Sequence, residues 1–281
     1  MAPRLPKRAL VTGASSGIGL AFVQYLASLG VDLVCVSNDQ AGLDQAVADL
    51  RAAHPDRAID AFCIDLTLTD APERCLAFCD ERSLEIELLV NNAGIFVFEP
   101  LLDAAPAKVA AMISLHVACV TRMCVVFGQR MKQARFGYIL NMSSLSAWMA
   151  MPGINVYNAT KAYIRNLSRA LASELAPFGV GVTVICPGGI DTALFGLPPN
   201  LRKIGVRLGI LMRPQTLVRR AVKVTLRRKI EAVPGIFNHV LMFICVTMPN
   251  FLVRFVMNHL SIYAPFRNND KQQNKIADEA Q

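Results

Sequence analysis

An α/β fold, with one doubly wound parallel sheet of seven strands and helices on both faces, is predicted by three observations. Short β-branched runs alternate with longer stretches of helical apolar periodicity. A glycine-rich turn, Thr12 to Gly19, joins the first such run to an apolar helix. Polar motifs recur where later strands should end, at the edge where open parallel sheets bind their ligands.

In chain order the strands are expected at 8–12, 32–37, 59–64, 87–91, 137–142, 180–185 and 231–234. The helices between them are expected near 17–29, 40–53, 69–82, 106–132, 155–176 and 215–229. Residues 1–235 form the expected catalytic domain, with a substrate lid at about 193–213, and 236–281 an apolar amphipathic extension ending in a polar tail. The unbroken apolar run Val240 to Met248 is too short to span a bilayer, so two amphipathic helices joined at Pro249 are expected instead.

The chain has 281 residues, 53% of them hydrophobic and 18% charged, which excludes a disordered chain. The eight cysteines include no CxxC pair and make no metal-ligand spacing with the four histidines, so they read as reduced core thiols, with Cys75 and Cys79 one helical turn apart. The basic start, Met1 to Arg8, runs directly into Ala9-Leu10-Val11 rather than a signal-like apolar stretch, and a cytosolic location is expected. Charge is unevenly placed: from Arg202 to Asn269 twelve Lys or Arg stand against the single acid Glu231, a segment charge of +11 that leaves the rest at −3 of the total +8.

The turn Thr12-Gly13-Ala14-Ser15-Ser16-Gly17-Ile18-Gly19 has the spacing of a dinucleotide loop. Gly13 permits the tight turn, Gly17 lets the backbone approach a pyrophosphate, Gly19 lets helix pack on strand, and the amides opening the helix attract phosphate. That makes the fold Rossmann-type. Asp65, after the third strand, can accept a hydrogen bond from an adenine amine or simply form a turn. The second strand ends in Ser37-Asn38, with no carboxylate to repel a 2′-phosphate before Asp39 and no Arg or Lys awaiting one, a slight lean toward NADP(H) over NAD(H).

Tyr157 and Lys161 lie four apart on an expected helix and so share a face. Bringing a phenol from its ordinary pKa of about 10 to neutrality needs about 4 kcal/mol, which a nearby ammonium and a nicotinamide cation can supply. The strand end Asn141-Met142-Ser143-Ser144 brings a hydroxyl to the same cleft.

Taken together, Thr-Gly-x-x-x-Gly-x-Gly, Asn91-Asn92-Ala93-Gly94, the serine, Tyr-x-x-x-Lys and Pro187-Gly188-Gly189-Ile190-Asp191-Thr192 resemble the classical short-chain dehydrogenase/reductase family from about Arg8 to Gly235. The resemblance implies that Tyr157 is the acid/base, Ser144 rather than Ser143 polarises the carbonyl, and Lys161 holds the nicotinamide ribose. It also implies that Ser15, Ser16 and Ile18 line the phosphates, Asp65 and Leu66 the adenine, Asn92 and Ala93, with Gly94, the adjacent ribose, and Ile190 and Thr192 the carboxamide, while Asn91 ties strands. One departure stands out: His116 occupies the place of the family's fourth-helix asparagine, as a proton relay or as a space-filling substitute.

The expected activity is hydride transfer between a nicotinamide and a ketone or secondary alcohol of a lipophilic acyl, steroid, retinoid or polyketide-like molecule. A catalytically weakened nucleotide sensor or scaffold is the alternative. The expected partners are that small molecule and further copies of the chain, with no nucleic acid. Segment 236–260 is expected to cover the pocket, join subunits or contact an anionic membrane peripherally.

Overall fold

The computed structural model describes residues 4–192, 199–207, 211–247, 249–259 and 263. Residues 193–198 and 208–210 of the expected lid, and the polar tail, lie outside the described residues.

Seven parallel strands form one sheet: β1 (Arg8–Thr12), β2 (Asp32–Ser37), β3 (Ile59–Cys63), β4 (Leu88–Asn91), β5 (Gly137–Met142), β6 (Val180–Ile185) and β7 (Glu231–Ala232). Their order is β3-β2-β1-β4-β5-β6-β7, the doubly wound arrangement whose crossovers reverse direction between β1 and β4. The helices are α1 (Gly17–Ser28), α2 (Gln40–Ala53), α3 (Ala71–Glu81), α4 (Pro106–Ile113), α5 (Val120–Ala134), α6 (Asn155–Leu175), α7 (Pro199–Arg207), α8 (Pro214–Leu226), α9 (Ile236–Thr247) and α10 (Asn250–His259).

Both faces of the sheet are buried, and successive residues of a strand feed opposite layers because side chains alternate along it. Ala9 and Val11 of β1 pack with Phe22, Leu26, Leu43 and Leu217 from α1, α2 and α8. Leu10 points the other way, into the layer of Cys75, Met123, Phe127 and Ile164 from α3, α5 and α6. A fully buried side chain such as Phe22 or Phe127 contributes roughly 1.5–3 kcal/mol each. Cys35, Cys75, Cys79, Cys119, Cys124 and Cys186 are free and buried, and burial pushes the thiols of Cys35, Cys79, Cys119, Cys124 and Cys186 up to about 12, which keeps them unreactive.

Three departures from the sequence expectation have a visible physical cause. β7 stops at Ala232 rather than 234, because Pro234 has no N–H for the ladder and Gly235 turns away at φ 103°. The single helix expected over 106–132 is α4 and α5 joined by a π-helical turn, Ser114–Cys119. This rod, Pro106–Ala134, is long and apolar enough to cross a membrane at 29 residues, but its Met112, Leu115, Met123, Phe127 and Met131 are buried inside the fold. Within the expected lid, α7 forms a helix that the prolines at 198 and 199 concealed, since Pro199 occupies its first turn.

Candidate active site

At the carboxyl edge of the sheet, a cleft of about 510 Å³ runs from the end of β2 to the start of α6. Its floor at one end is the glycine turn. Gly13 and Gly17 adopt φ of +68° and +56°, a region that only glycine enters without strain. Ser16 precedes α1 without capping it, so the first amides of the helix keep no side-chain partner and face the cleft as an anion cradle. Gly19 does not line the cleft. A Cβ there would stand 1.9 Å from the Gly13 carbonyl oxygen and 2.7 Å from Asn92 Nδ2. Gly19→Val is therefore expected to lower the urea midpoint, by about 1–3 kcal/mol of stability, and to abolish NAD(P)H binding in a fluorescence titration, since a backbone carbonyl cannot yield.

The end of the cleft beside β2 and β3 is polar, and no Arg or Lys among the described residues lines it. Ser15 and Ser37 hydroxyls hydrogen-bond at 2.9 Å, and Ser37 Oγ also accepts from the Asp39 amide at 3.2 Å. Asp39 is spent as the cap of α2, accepting from the Gly42 amide at 3.1 Å, and it does not line the cleft, whereas Asn38 does. Asp65 and Leu66 line the same end, and Asp65 Oδ1 accepts from the Thr67 amide at 2.9 Å. Midway, Asn92, Ala93 and Gly94 line the wall. Asn92 donates its side-chain amide to the Thr12 carbonyl at 2.9 Å, and Thr12 Oγ1 accepts from the amides of Asn92 and Ala93 at 2.9 and 3.0 Å. Those donors hold the ends of β1 and β4 together, so the Asn92 and Ala93 amides and the Asn92 side-chain amide are already engaged within the wall. Asn91 ties strands: its Nδ2 donates to Asn141 Oδ1 at 2.8 Å, across the β4–β5 pair.

At the other end Ser144, Tyr157, Lys161, Ile190 and Thr192 line the cleft together. β5 delivers Ser144 just past its last residue, and α6 presents Tyr157 and Lys161 one turn apart. Ser144 Oγ accepts from the Ser146 amide at 3.1 Å and hydrogen-bonds the Tyr157 hydroxyl. Ser143 is committed elsewhere, donating to the Lys161 carbonyl at 2.7 Å. Both serines line the cleft, but Ser143 spends its hydroxyl proton on fastening β5 to α6.

The charges of this end differ from the simple expectation of a phenol lowered by its lysine. Burial pushes the Tyr157 hydroxyl up to about 12, opposed by the Ser144 hydrogen bond. Burial also pulls the Lys161 ammonium down to about 8, and its Nζ donates to the Met142 carbonyl at 3.0 Å. Both groups have lost water before any ligand arrives, and desolvation outweighs their mutual effect.

His116 lies outside the cleft, in the π-helical turn, and is fully buried. Its Nε2 accepts from the Ile95 amide at 3.0 Å, and Nδ1 meets Thr160 Oγ1 at 3.0 Å. Thr160 already donates to the Tyr157 carbonyl at 2.9 Å, so His116 Nδ1 carries the proton toward Thr160. Burial first and the Lys161 charge second push the imidazole down to about 2, which keeps it neutral. Gly94 makes room for it: a Cβ there would stand 3.1 Å from His116 Nε2. Ile95 and Thr160, partners of His116, have no signature in the sequence, and neither do the lining residues Ile64 and Leu115. Among the described residues no cluster of metal-ligating side chains occurs.

A family model described as short chain dehydrogenase matches residues 7–197. An uncharacterized oxidoreductase of Staphylococcus saprophyticus is 30% identical over 190 residues, covering 68% of this chain and 81% of that one. A very-long-chain 3-oxoacyl-CoA reductase of Pyrenophora tritici-repentis is 30% identical over 190 residues, covering 66% of this chain and 55% of that protein. Among solved structures, a short-chain dehydrogenase from Sphingobium yanoikuyae in complex with NADPH superposes with a TM-score of 0.72 at 26% identity, covering 96% of this chain and 94% of that one.

Proposed function

Because the chain belongs to the short-chain dehydrogenase family and is an oxidoreductase of that type, we propose that it reduces a ketone, or oxidises the matching secondary alcohol, in a lipophilic molecule, with NADP(H) weakly preferred over NAD(H). The observation that carries this reading is the convergence of Ser144, Tyr157 and Lys161 at one end of a cleft whose other end is a phosphate-binding glycine turn.

The residues present fit a nicotinamide dinucleotide. The glycine turn would hold the pyrophosphate, Ser15, Ser37 and Asn38 the adenosine ribose, Asp65 and Leu66 the adenine, and Ile190 and Thr192 the carboxamide. Bound there, the nicotinamide supplies or accepts the hydride. Ser144 Oγ holds the substrate oxygen beside the Tyr157 hydroxyl, which donates a proton to that oxygen in reduction and removes it in oxidation. Lys161, held by the Met142 carbonyl, keeps a positive charge beside that exchange below about pH 8. Asp39, the carboxylate next to Ser37 and Asn38, is spent capping α2 and does not line the cleft, and this supports the weak cofactor preference, since its charge opposes a 2′-phosphate less than a ribose-binding carboxylate would. The apolar carboxyl-terminal helices beside the cleft support a lipophilic substrate, and so does likeness to a reductase of very-long-chain acyl groups.

The test is oxidation of NADPH and of NADH across a panel of long-chain, steroidal and small hydrophilic ketones. Turnover confined to the hydrophilic ketones would refute the substrate class. Failure with every carbonyl despite NADPH binding would favour a sensor or scaffold.

In this reading His116 is a positioning residue, not a relay, because both ring nitrogens are occupied and the ring is neutral throughout the working range. His116→Asn is expected to leave the shape of the pH profile of kcat/KM unchanged, with kcat within roughly threefold. His116→Ala should cost about 1–3 kcal/mol in denaturant unfolding, as the Ile95 amide loses its acceptor. Disappearance of an ionisation near neutrality in His116→Asn would restore the relay.

A further inference from the structure

Helices of a folded protein normally show water a polar face, but among the described residues the exposed side of α9 is largely apolar between the polar His239 and Thr247. Its inner side carries Asn238, set against Gly188, and the partly buried Leu241 and Met242, and the helix packs on the turn 145–148 behind Ser144. Its outer side is also apolar, with Val240, Phe243 and Ile244 at one-turn spacing and Phe243 69% exposed. Beyond Pro249, α10 also exposes apolar side chains, Phe251 and Phe255, at 72% and 56%. Three phenylalanines facing water within thirteen residues of chain are costly unless something covers them.

Position and charge indicate what covers them. α7, the start of α8, and α9 all follow the carboxyl ends of β6 and β7, and Tyr263 beyond α10 reaches the Pro152 carbonyl and the Phe98 ring near the substrate end. The apolar surface therefore shares an edge with the cleft mouth. On this edge Lys203, Arg213 and Arg254 are exposed, and no Asp or Glu occurs between Glu231 and Asp270. A second copy of the chain, paired isologously through this face, would set like charges against like. Helices of 12 and 10 residues are too short to span a bilayer but suited to lie in its interface, with aromatic groups inserted and cations among headgroups.

We propose that α9 and α10 dock the protein on an anionic membrane surface, with Phe243, Phe251 and Phe255 inserted and the cleft mouth turned toward the lipid. Delivery of substrate from the bilayer rests on the lipophilic-substrate reading above. The docking itself does not, and it is measured without turnover, so the two fail separately.

The test is co-sedimentation of the full chain with phosphatidylcholine vesicles, with and without phosphatidylserine. Binding is expected to the anionic vesicles, to be weaker to phosphatidylcholine alone, and to fall as salt is raised. Replacing Phe243, Phe251 and Phe255 by serine should weaken it roughly tenfold or more, with NADPH binding and melting temperature kept as checks on folding. If that triple variant folds poorly, Arg254→Glu provides the second measurement, with weaker binding to anionic vesicles alone. No binding by the parent protein, or binding indifferent to both variants, overturns the proposal. So does a triple variant that turns a parent dimer into a monomer in solution while vesicle binding persists, because the face then joins two copies.

Discussion

Replacement of Tyr157 by phenylalanine is expected to lower kcat by roughly 10²–10⁴-fold while NADPH binding stays within a factor of about two. The phenyl ring keeps its place, because its edge-to-face packing on Phe96 at 5.1 Å and its contact with the His116 ring do not involve the hydroxyl. Only the proton donor and its hydrogen bond with Ser144 are lost. Ser144→Ala should cost less, roughly 10²-fold, since the phenol can still reach the substrate oxygen but the second hydrogen bond to it is gone. The protonation state supplies a separate check. With the hydroxyl held up at about 12 by burial, the free protein presents an acid to a carbonyl throughout the neutral range. Ultraviolet difference titration of the parent against Tyr157→Phe should show no tyrosinate from this residue below about pH 10. Reduction should then hold its rate between about pH 6 and pH 8, because the phenol proton is already in place and Lys161 is still charged, and slow above about pH 8 as Lys161 loses its charge. Kcat unchanged in Tyr157→Phe would remove the tyrosine from the chemistry.

Much of this was legible because the sequence patterns reflect hard physical limits. The alternation of Ala9, Leu10 and Val11 between two layers shows as an apolar strand because both sheet faces must be covered. Gly13 and Gly17 are visible because their backbone angles exclude side chains, and Tyr157 with Lys161 because helical spacing sets them on one face. What remained hidden depends on backbone partners or on hydrogen-bond register. Apolar periodicity does not separate an α-turn from a π-turn, so the wide turn holding His116 read as plain helix. The acceptor role of His116 is toward an amide 21 residues away, and its other partner, Thr160, is 44 residues away, so no local spacing records either. The Asn92 side-chain amide is given to Thr12, a choice that only the packing of β1 against β4 reveals.

The second large effect is expected at Lys161, where function and stability pull apart. Its side chain is 5% exposed, and burial lowers the ammonium from its ordinary 10.5 to about 8. The folded state therefore binds fewer protons than the unfolded chain between about pH 8 and 10.5, so its stability rises with pH across that window. Below pH 8 the full cost of the buried charge applies, about 3 kcal/mol from the difference between the two pKa values. Lys161→Met removes that cost and keeps the apolar stem, but leaves the Met142 carbonyl without its donor, a loss of about 1–3 kcal/mol. The two nearly cancel, so the cofactor-free variant should melt at or a few degrees above the parent at neutral pH, and its gain over the parent should shrink as pH is raised through the window. Turnover should fall by roughly 10²-fold or more, because the cleft loses its only lining cation among the described residues. A calorimetric scan beside a rate assay checks both halves. A variant that melts well below the parent at pH 7 would mean that the ammonium supports the fold, and that its burial serves structure before chemistry.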